Sequence, residues 1–319
     1  MRYQVQNTRD VSVTGCVNSG WTYREQVDRS AHGLTVLDYY TQRYRHSSRA
    51  EWQQRIQSGQ VLLDQAETTP ETGLLAGQWL TYQRPPWQEP DVPLNFEVIY
   101  EDAELMMVAK PSGLPVLPGG GFLEHTLLWR LQQRYPQTTP LPIHRLGRGT
   151  SGLMLLARSP KARAHLSQQL RDRQMHKVYR ALAQGNSMPD CFSITTPIGK
   201  QAHPVLGYIY AAHPQGAVAQ SDCQVLRRDA ETALLEVSIL TGRPHQIRIH
   251  LAAAGHPLVG DPLYTIGGVP MTDRPSVNGK LAVPGDCGYH LHAIHLSFTH
   301  PNGQLMTFTC PPPAELRND

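Results

Sequence analysis

The chain has 319 residues, of which 40% are hydrophobic and 17% charged, with a formal net charge of +3. That is enough chain for a large core plus a small accessory domain, and too apolar a composition for a disordered protein. Clean apolar runs such as Leu105-Met-Met-Val-Ala109 fall far short of the roughly 20 residues a spanning helix needs, so no membrane partner is expected. Asp10, Glu25 and Asp28 within the first 30 residues, and the lack of an apolar stretch there, argue against a secretory signal or a transit peptide. The five cysteines (Cys16, Cys191, Cys223, Cys287, Cys310) are odd in number and never spaced C-x-x-C. A disulfide framework or zinc site is therefore not expected, and a reducing cytoplasm is. The 15 histidines form no H-x-x-x-H pair or Cys/His cluster, so no metal is expected either.

Along the chain, residues 1–33 read as an irregular lead-in punctuated by Thr, Ser, Gly and Asn. A compact unit is expected over 34–83. Val36, Leu37, Tyr40 and Tyr44 recur at helical spacing, and Ser48 is placed to cap a second helix carrying Trp52, Arg55 and Ile56. Gly59 stops that helix, and Val61-Leu62-Leu63 and Trp79-Leu80-Thr81-Tyr82 read as strands. Two helices followed by small strands, bearing Arg43, Arg45, Arg49 and Arg55, resemble the alpha-L RNA-binding module named for a small-subunit ribosomal protein. The resemblance implies that Arg43, Arg45 and Arg49 contact RNA; without it they read as exposed arginines on a small packing domain.

Residues 84–95, with four prolines, read as a semi-rigid linker. From 96 to 319 a single domain of strands with a few helices is expected. Strands are predicted at Glu97–Tyr100, Leu105–Ala109, Leu153–Ala157, Val178–Ala183, Ala233–Ile239 and Gln304–Thr309. A helix starts at Ser159-Pro160, with Ala162, Leu166 and Leu170 on one face. Strands in clusters with occasional helices indicate an α+β fold. Charge is segregated: residues 141–185 hold nine basic side chains against Asp172, whereas 86–140 hold three basic and seven acidic ones. A basic stretch of that kind, which includes Arg148, Arg171 and Arg173, is either a solvated helix face or a surface that meets phosphates.

Four segments occur in order: Lys110-Pro-Ser-Gly-Leu-Pro-Val116, His144-Arg-Leu-Gly-Arg-Gly-Thr-Ser-Gly152, Lys177-Val-Tyr179, and Thr241-Gly-Arg-Pro-His-Gln-Ile-Arg-Ile-His250 running on to Gly255-His-Pro-Leu-Val-Gly-Asp-Pro-Leu-Tyr264. Together with a tail at Leu291-His-Ala293, they resemble the RluA-type RNA pseudouridine synthases over about 220 residues. The resemblance implies a central mixed, largely antiparallel sheet flanked by helices, a reaction without cofactor or metal, and extrusion of a target uridine from folded RNA. It implies that Arg145 fills the space vacated by the base and that Tyr179 stacks on the base and takes part in proton transfer at C5. Arg248 would pair with the catalytic aspartate, Ile247 would pack beside the base, and Thr150 and Lys177 would shape the pocket. Read singly, Tyr179 is a half-buried strand residue, and His144, His245 and His250 are structural. Pro118-Gly-Gly-Gly121 lacks the G-K-[ST] of a phosphate loop.

One position departs from the motif H-R-L-D-x-x-T-S-G. The aspartate that starts the chemistry, as nucleophile or as base at the ribose, is here Gly147, which can be neither. Three explanations are open: RNA binding without isomerisation, a carboxylate from elsewhere with Glu124 and Asp261 as candidates, or an altered position. An arginine left unpaired at 248 would be costly if buried, so some anion is expected to face it. The leading expectation is an RNA uridine isomerase acting on ribosomal or transfer RNA, as a monomer. The alternatives are a non-catalytic RNA-binding protein on the same scaffold and, more distantly, a histidine-based metal hydrolase.

Overall fold

Apolar side chains run almost without interruption through Leu105–Lys110 and Ser151–Ala157, as they do in strands buried on both faces. In the computed structural model, which describes residues 17–203, 206–271 and 281–318, these two strands lie inside a large sheet. The chain divides into two units between Asp91 and Val92, within the proline-rich 84–95 segment.

The first unit contains β1 (Trp21–Gln26), α1 (Val36–Arg43), α2 (Arg49–Gln57), β2 (Val61–Leu63), β3 (Ala66–Glu67) and β4 (Trp79–Arg84). Thr35 caps α1, and Ser48 with Glu51 forms a reciprocal capping box on α2, satisfying backbone donors that a helix start leaves orphaned. The strands form one antiparallel sheet in the order β1-β4-β2-β3. Tyr40, Trp52, Ile56, Val61 and Leu80 fill the core between sheet and helices. Part of the stretch expected to be an irregular lead-in is thus a strand: β1 pairs Tyr23 with Tyr82 and Gln26 with Trp79. Its partner is distant in sequence, so local punctuation hid it. Residues 1–16 of that lead-in, with Cys16, lie outside the described residues.

The second unit opens with β5 (Glu97–Glu101), β6 (Leu105–Lys110), α3 (Leu127–Arg134), β7 (Leu141–Pro142), β8 (Ser151–Ala157), α4 (Pro160–Arg171) and β9 (His176–Gln184). It continues with β10 (Cys191–Ile194), β11 (Ile198–His203), β12 (Gly207–Ala212), β13 (Ser221–Arg228), β14 (Thr232–Ile239) and α5 (Gln246–Ala253). The last strands are β15 (Tyr264–Thr265), β16 (Val269–Pro270), β17 (Leu291–Thr299) and β18 (Leu305–Thr309). The main sheet runs β10-β13-β14-β9-β17-β8-β6-β5, with β18 beside β17 and β7 beside β8. Only the β17–β8 junction is parallel, which makes the sheet mixed and largely antiparallel within an α+β fold.

Period-two alternation divides the buried side chains of β6 and β8 between two cores. Leu105, Met107, Leu153 and Leu155 face α4 and pack with Ala162 and Leu166. Met106, Val108, Met154 and Leu156 face the other way, with Leu127 and Leu131 of α3 and Ile247 and Leu251 of α5. Helix α5 is buried on every side, because Ile249 and Ala252 enter a third core shared with β11 and β12. Tyr179, Leu146 and Tyr289 belong to the α3/α5 side of the sheet. Among the described residues, no helix is long and apolar enough to cross a membrane.

Candidate active site

On that side of the second unit lies a cavity of about 930 Å³. Its walls come from the ends of the segments that the sequence singles out. The 144–150 loop contributes Arg145, Gly147, Arg148 and Thr150, β9 contributes Lys177 and Tyr179, and the first turn of α5 contributes Ile247 and Arg248. Arg171 and Arg173, at and beyond the end of α4, also line it. Ten of the positions singled out in the sequence therefore share one cavity. Glu124 and Asp261 are not among its lining residues, and those lining residues include no Asp or Glu. Arg43, Arg45 and Arg49 belong to the first unit, where Arg43 is paired with Glu25 at 3.3 Å and Arg49 with Asp38 at 2.6 Å. Arg45 is exposed and donates to the Gln42 carbonyl at 3.4 Å.

Arg248 is the most constrained cation. Its Nε and Nη2 each donate to an Asp261 carboxylate oxygen at 2.7 Å, and its Nη1 donates to the Pro284 carbonyl at 3.0 Å. Both side chains of this fork are almost fully buried. Burial opposes the charge on Arg248, but the Asp261 hydrogen bonds outweigh it and hold the guanidinium ionised. Asp261 Oδ1 also accepts from the backbone N–H groups of Leu263 and Tyr264. Its oxygens are thus committed to Arg248 and to the turn that follows. The anion facing Arg248 is Asp261.

Other cations of the cavity lack such partners. Arg145 is exposed and makes no hydrogen bond or ion pair with the described residues. Lys177 is 7% exposed and also makes neither, and burial pulls its ammonium down to about 8. Arg148 donates from Nε to the Cys287 thiol at 3.0 Å and lies 5.1 Å from the Phe122 ring centroid. The histidines beside them are neutral near pH 7. Burial lowers His144 to about 4, and its Nε2 accepts from the Leu155 N–H at 3.2 Å. Burial, and after it the Arg248 charge, lowers His245 to about 3. Its Nδ1 lies 2.8 Å from the Tyr264 hydroxyl, which donates its proton to the Tyr210 carbonyl, so His245 is the donor to Tyr264. His250 is held by Ser221 and the Thr196 carbonyl. Tyr179 is 8% exposed, burial pushes its phenol up to about 12, and its hydroxyl makes no hydrogen bond with the described residues.

Two residues at the site had no role assigned from sequence. Lys110 is 1% exposed, and its Nζ donates to the carbonyls of Pro111 (2.8 Å), Leu114 (2.8 Å) and Arg148 (3.1 Å). Burial, with Cys287 opposing and the Arg148 charge adding to it, pushes this amine down to about 7, but three carbonyl acceptors match three ammonium protons, so the charged form fits the geometry. With Gly113 N–H on the Arg148 carbonyl and Ser112 Oγ on that of Gly149, it ties the Lys110–Val116 turn to the back of the 144–150 loop. The other is Tyr289, whose hydroxyl lies 3.3 Å from Thr150 Oγ1 and whose ring centroid is 4.1 Å from the Arg248 guanidinium carbon. No described group of three His, Cys, Asp or Glu side chains is placed to hold a metal ion.

Comparison with known proteins gives a consistent set of relatives. A family model described as RNA pseudouridylate synthase matches residues 104–253. An uncharacterized RNA pseudouridine synthase of Synechocystis is 50% identical over 88% of this chain and 95% of its own length. RNA pseudouridine synthase 5 of Arabidopsis thaliana is 41% identical, covering 87% of this chain and 88% of its own. Ribosomal large subunit pseudouridine synthase D of Neisseria meningitidis is 34% identical over 82% of this chain and 71% of its own. Among solved structures, human RNA pseudouridylate synthase domain containing 1 superposes with a TM-score of 0.55 at 24% identity, covering 72% of this chain and 89% of that one. This last likeness bears on the fold alone.

Proposed function

The chain belongs to the RNA pseudouridine synthase family, and from that premise we propose that it isomerises a uridine of structured ribosomal or transfer RNA inside the cavity of the second unit. Relatives named as synthases across most of the chain favour the isomerase over an RNA binder that has lost its chemistry. The observation that carries the reading is the make-up of the cavity wall: six arginines and Lys177 converge with a buried phenol, and no acid is among the lining residues. Such a wall attracts a polyanion and excludes a second negative charge.

The nucleotide leaves its stack at a cost of a few kcal/mol and is held in the cavity. Arg145, exposed and unpaired, is free to enter the gap left in the RNA. Tyr179 presents a ring to the uracil and an unpaired hydroxyl to its edge, and Ile247 packs beside it. Lys177 gains an anionic partner when phosphate arrives. Arg248, locked by Asp261, is a rigid wall. It is not a mobile phosphate ligand. We take a monomer in a reducing cytoplasm as the working form.

The test is pseudouridine formation by the purified protein on RNA from a strain lacking it. Arg145→Ala and Tyr179→Phe should each abolish the activity while leaving the melting temperature unchanged. Full activity in both variants would remove the cavity from the reaction.

A further inference from the structure

Gly147 does not adopt a left-handed φ, so its backbone would accept a side chain. What opposes one is Tyr289. A Cβ at 147 would lie 2.7 Å from the Tyr289 hydroxyl oxygen, and one at 149 would lie 3.0 Å from its ring. Both glycines of the loop therefore make room for a single tyrosine that is itself 4% exposed and lines the same cavity. Its oxygen stands at about the distance from that Cβ at which an aspartate at 147 would carry a carboxylate oxygen. Taking the isomerase reading as its basis, we propose that Tyr289 supplies the oxygen at the reaction centre that the motif places on residue 147, and that it donates a hydrogen bond to the ribose of the flipped nucleotide.

The chemistry differs from that of a carboxylate. Burial raises the phenol of Tyr289, with the Arg248 charge opposing, so it stays protonated near neutral pH. Its one described hydrogen-bond contact, Thr150 Oγ1 at 3.3 Å, is long and leaves the proton available to substrate. A neutral hydroxyl orients the sugar but does not attack it, so no covalent bond forms between residue 289 and C1′. The isomerisation still balances: the N1–C1′ bond breaks, the C5–C1′ bond forms, and the proton lost at C5 is matched by one gained at N1.

The experiment compares the full chain with Tyr289→Phe, Gly147→Asp and the double variant, measuring pseudouridine formation on RNA from the deletion strain and the melting temperature. Tyr289→Phe should lower kcat by roughly 10²–10³-fold, the loss typical of one transition-state donor, with KM and melting temperature little changed. Gly147→Asp should melt at a lower temperature than the parent, and adding Tyr289→Phe should restore most of the loss. Parental kcat in Tyr289→Phe would overturn the catalytic role while leaving the isomerase intact. An equal melting loss for Gly147→Asp in both backgrounds would overturn the exchange of places between residues 147 and 289. An inactive parent would instead overturn the isomerase reading and with it the catalytic role, and the melting data would still decide whether Tyr289 holds the space of residue 147.

Discussion

Lys177 is a buried ammonium without a counterion among the described residues, facing a cavity whose described lining has no carboxylate to offer it. Burial lowers it to about 8, whereas in the unfolded chain it keeps the ordinary 10.5. Between those values the unfolded state binds more protons, so stability of the free protein should rise with pH through that window. RNA affinity should move the opposite way, weakening above about 8 as the ammonium is lost. Fluorescence titrations across that range would show it, and Lys177→Met should flatten both profiles; a pH-independent affinity would separate Lys177 from the phosphates. The motif K-x-Y marked this lysine in the sequence, but its isolation depends on which acids fold nearby, and that is not written locally. Tyr289 shows the same limit more sharply. No motif includes it, and the available signal was indirect: two glycines, Gly147 and Gly149, in a loop of otherwise bulky residues.

The junction of β8 and β17 is where backbone, more than side chain, decides the architecture. Gly152 sits at φ +105° with the Ala293 carbonyl oxygen 2.3 Å from where a Cβ would be. Gly152→Ala should therefore cost about 2–4 kcal/mol by forcing apart the single parallel pair of the sheet, readable in denaturant unfolding. A loss under about 0.5 kcal/mol, the range of ordinary surface changes, would mean that the crossing is slack. Elements whose pattern is local are legible in the sequence: Ser159 and Pro160 start α4, and strands β6, β8 and β14 lie where apolar runs place them. Helix α5 carries no helical signature in the sequence, because burial on every side erases amphipathic periodicity from Gln246–Ala253. The N-terminal strand β1 escaped for a different reason, its partner β4 being remote in sequence.

Across the whole molecule, the basic residues fall into two electrostatic classes. Arg43 and Arg49 are matched by acids of their own unit, whereas Arg145, Arg171 and Arg173 face a cavity without any. Each phosphate contact removed should flatten the salt dependence of RNA binding by about 0.7–0.9 in the log–log slope. Arg171→Gln with Arg173→Gln should show that loss, and Arg43→Gln with Arg49→Gln a smaller one, in filter-binding series over salt. Equal losses would give the first unit an equal share of the RNA. The order of strands has a further consequence. Strand β17, from residues 291–299, is inserted between β9 and β8, both of which precede it by more than 100 residues. A nascent chain emerging from the ribosome must therefore hold two half-sheets with open edges until this segment is translated. Tyr289 arrives with the same segment, so a nascent chain that stops short of it has no finished cavity and cannot engage RNA through it.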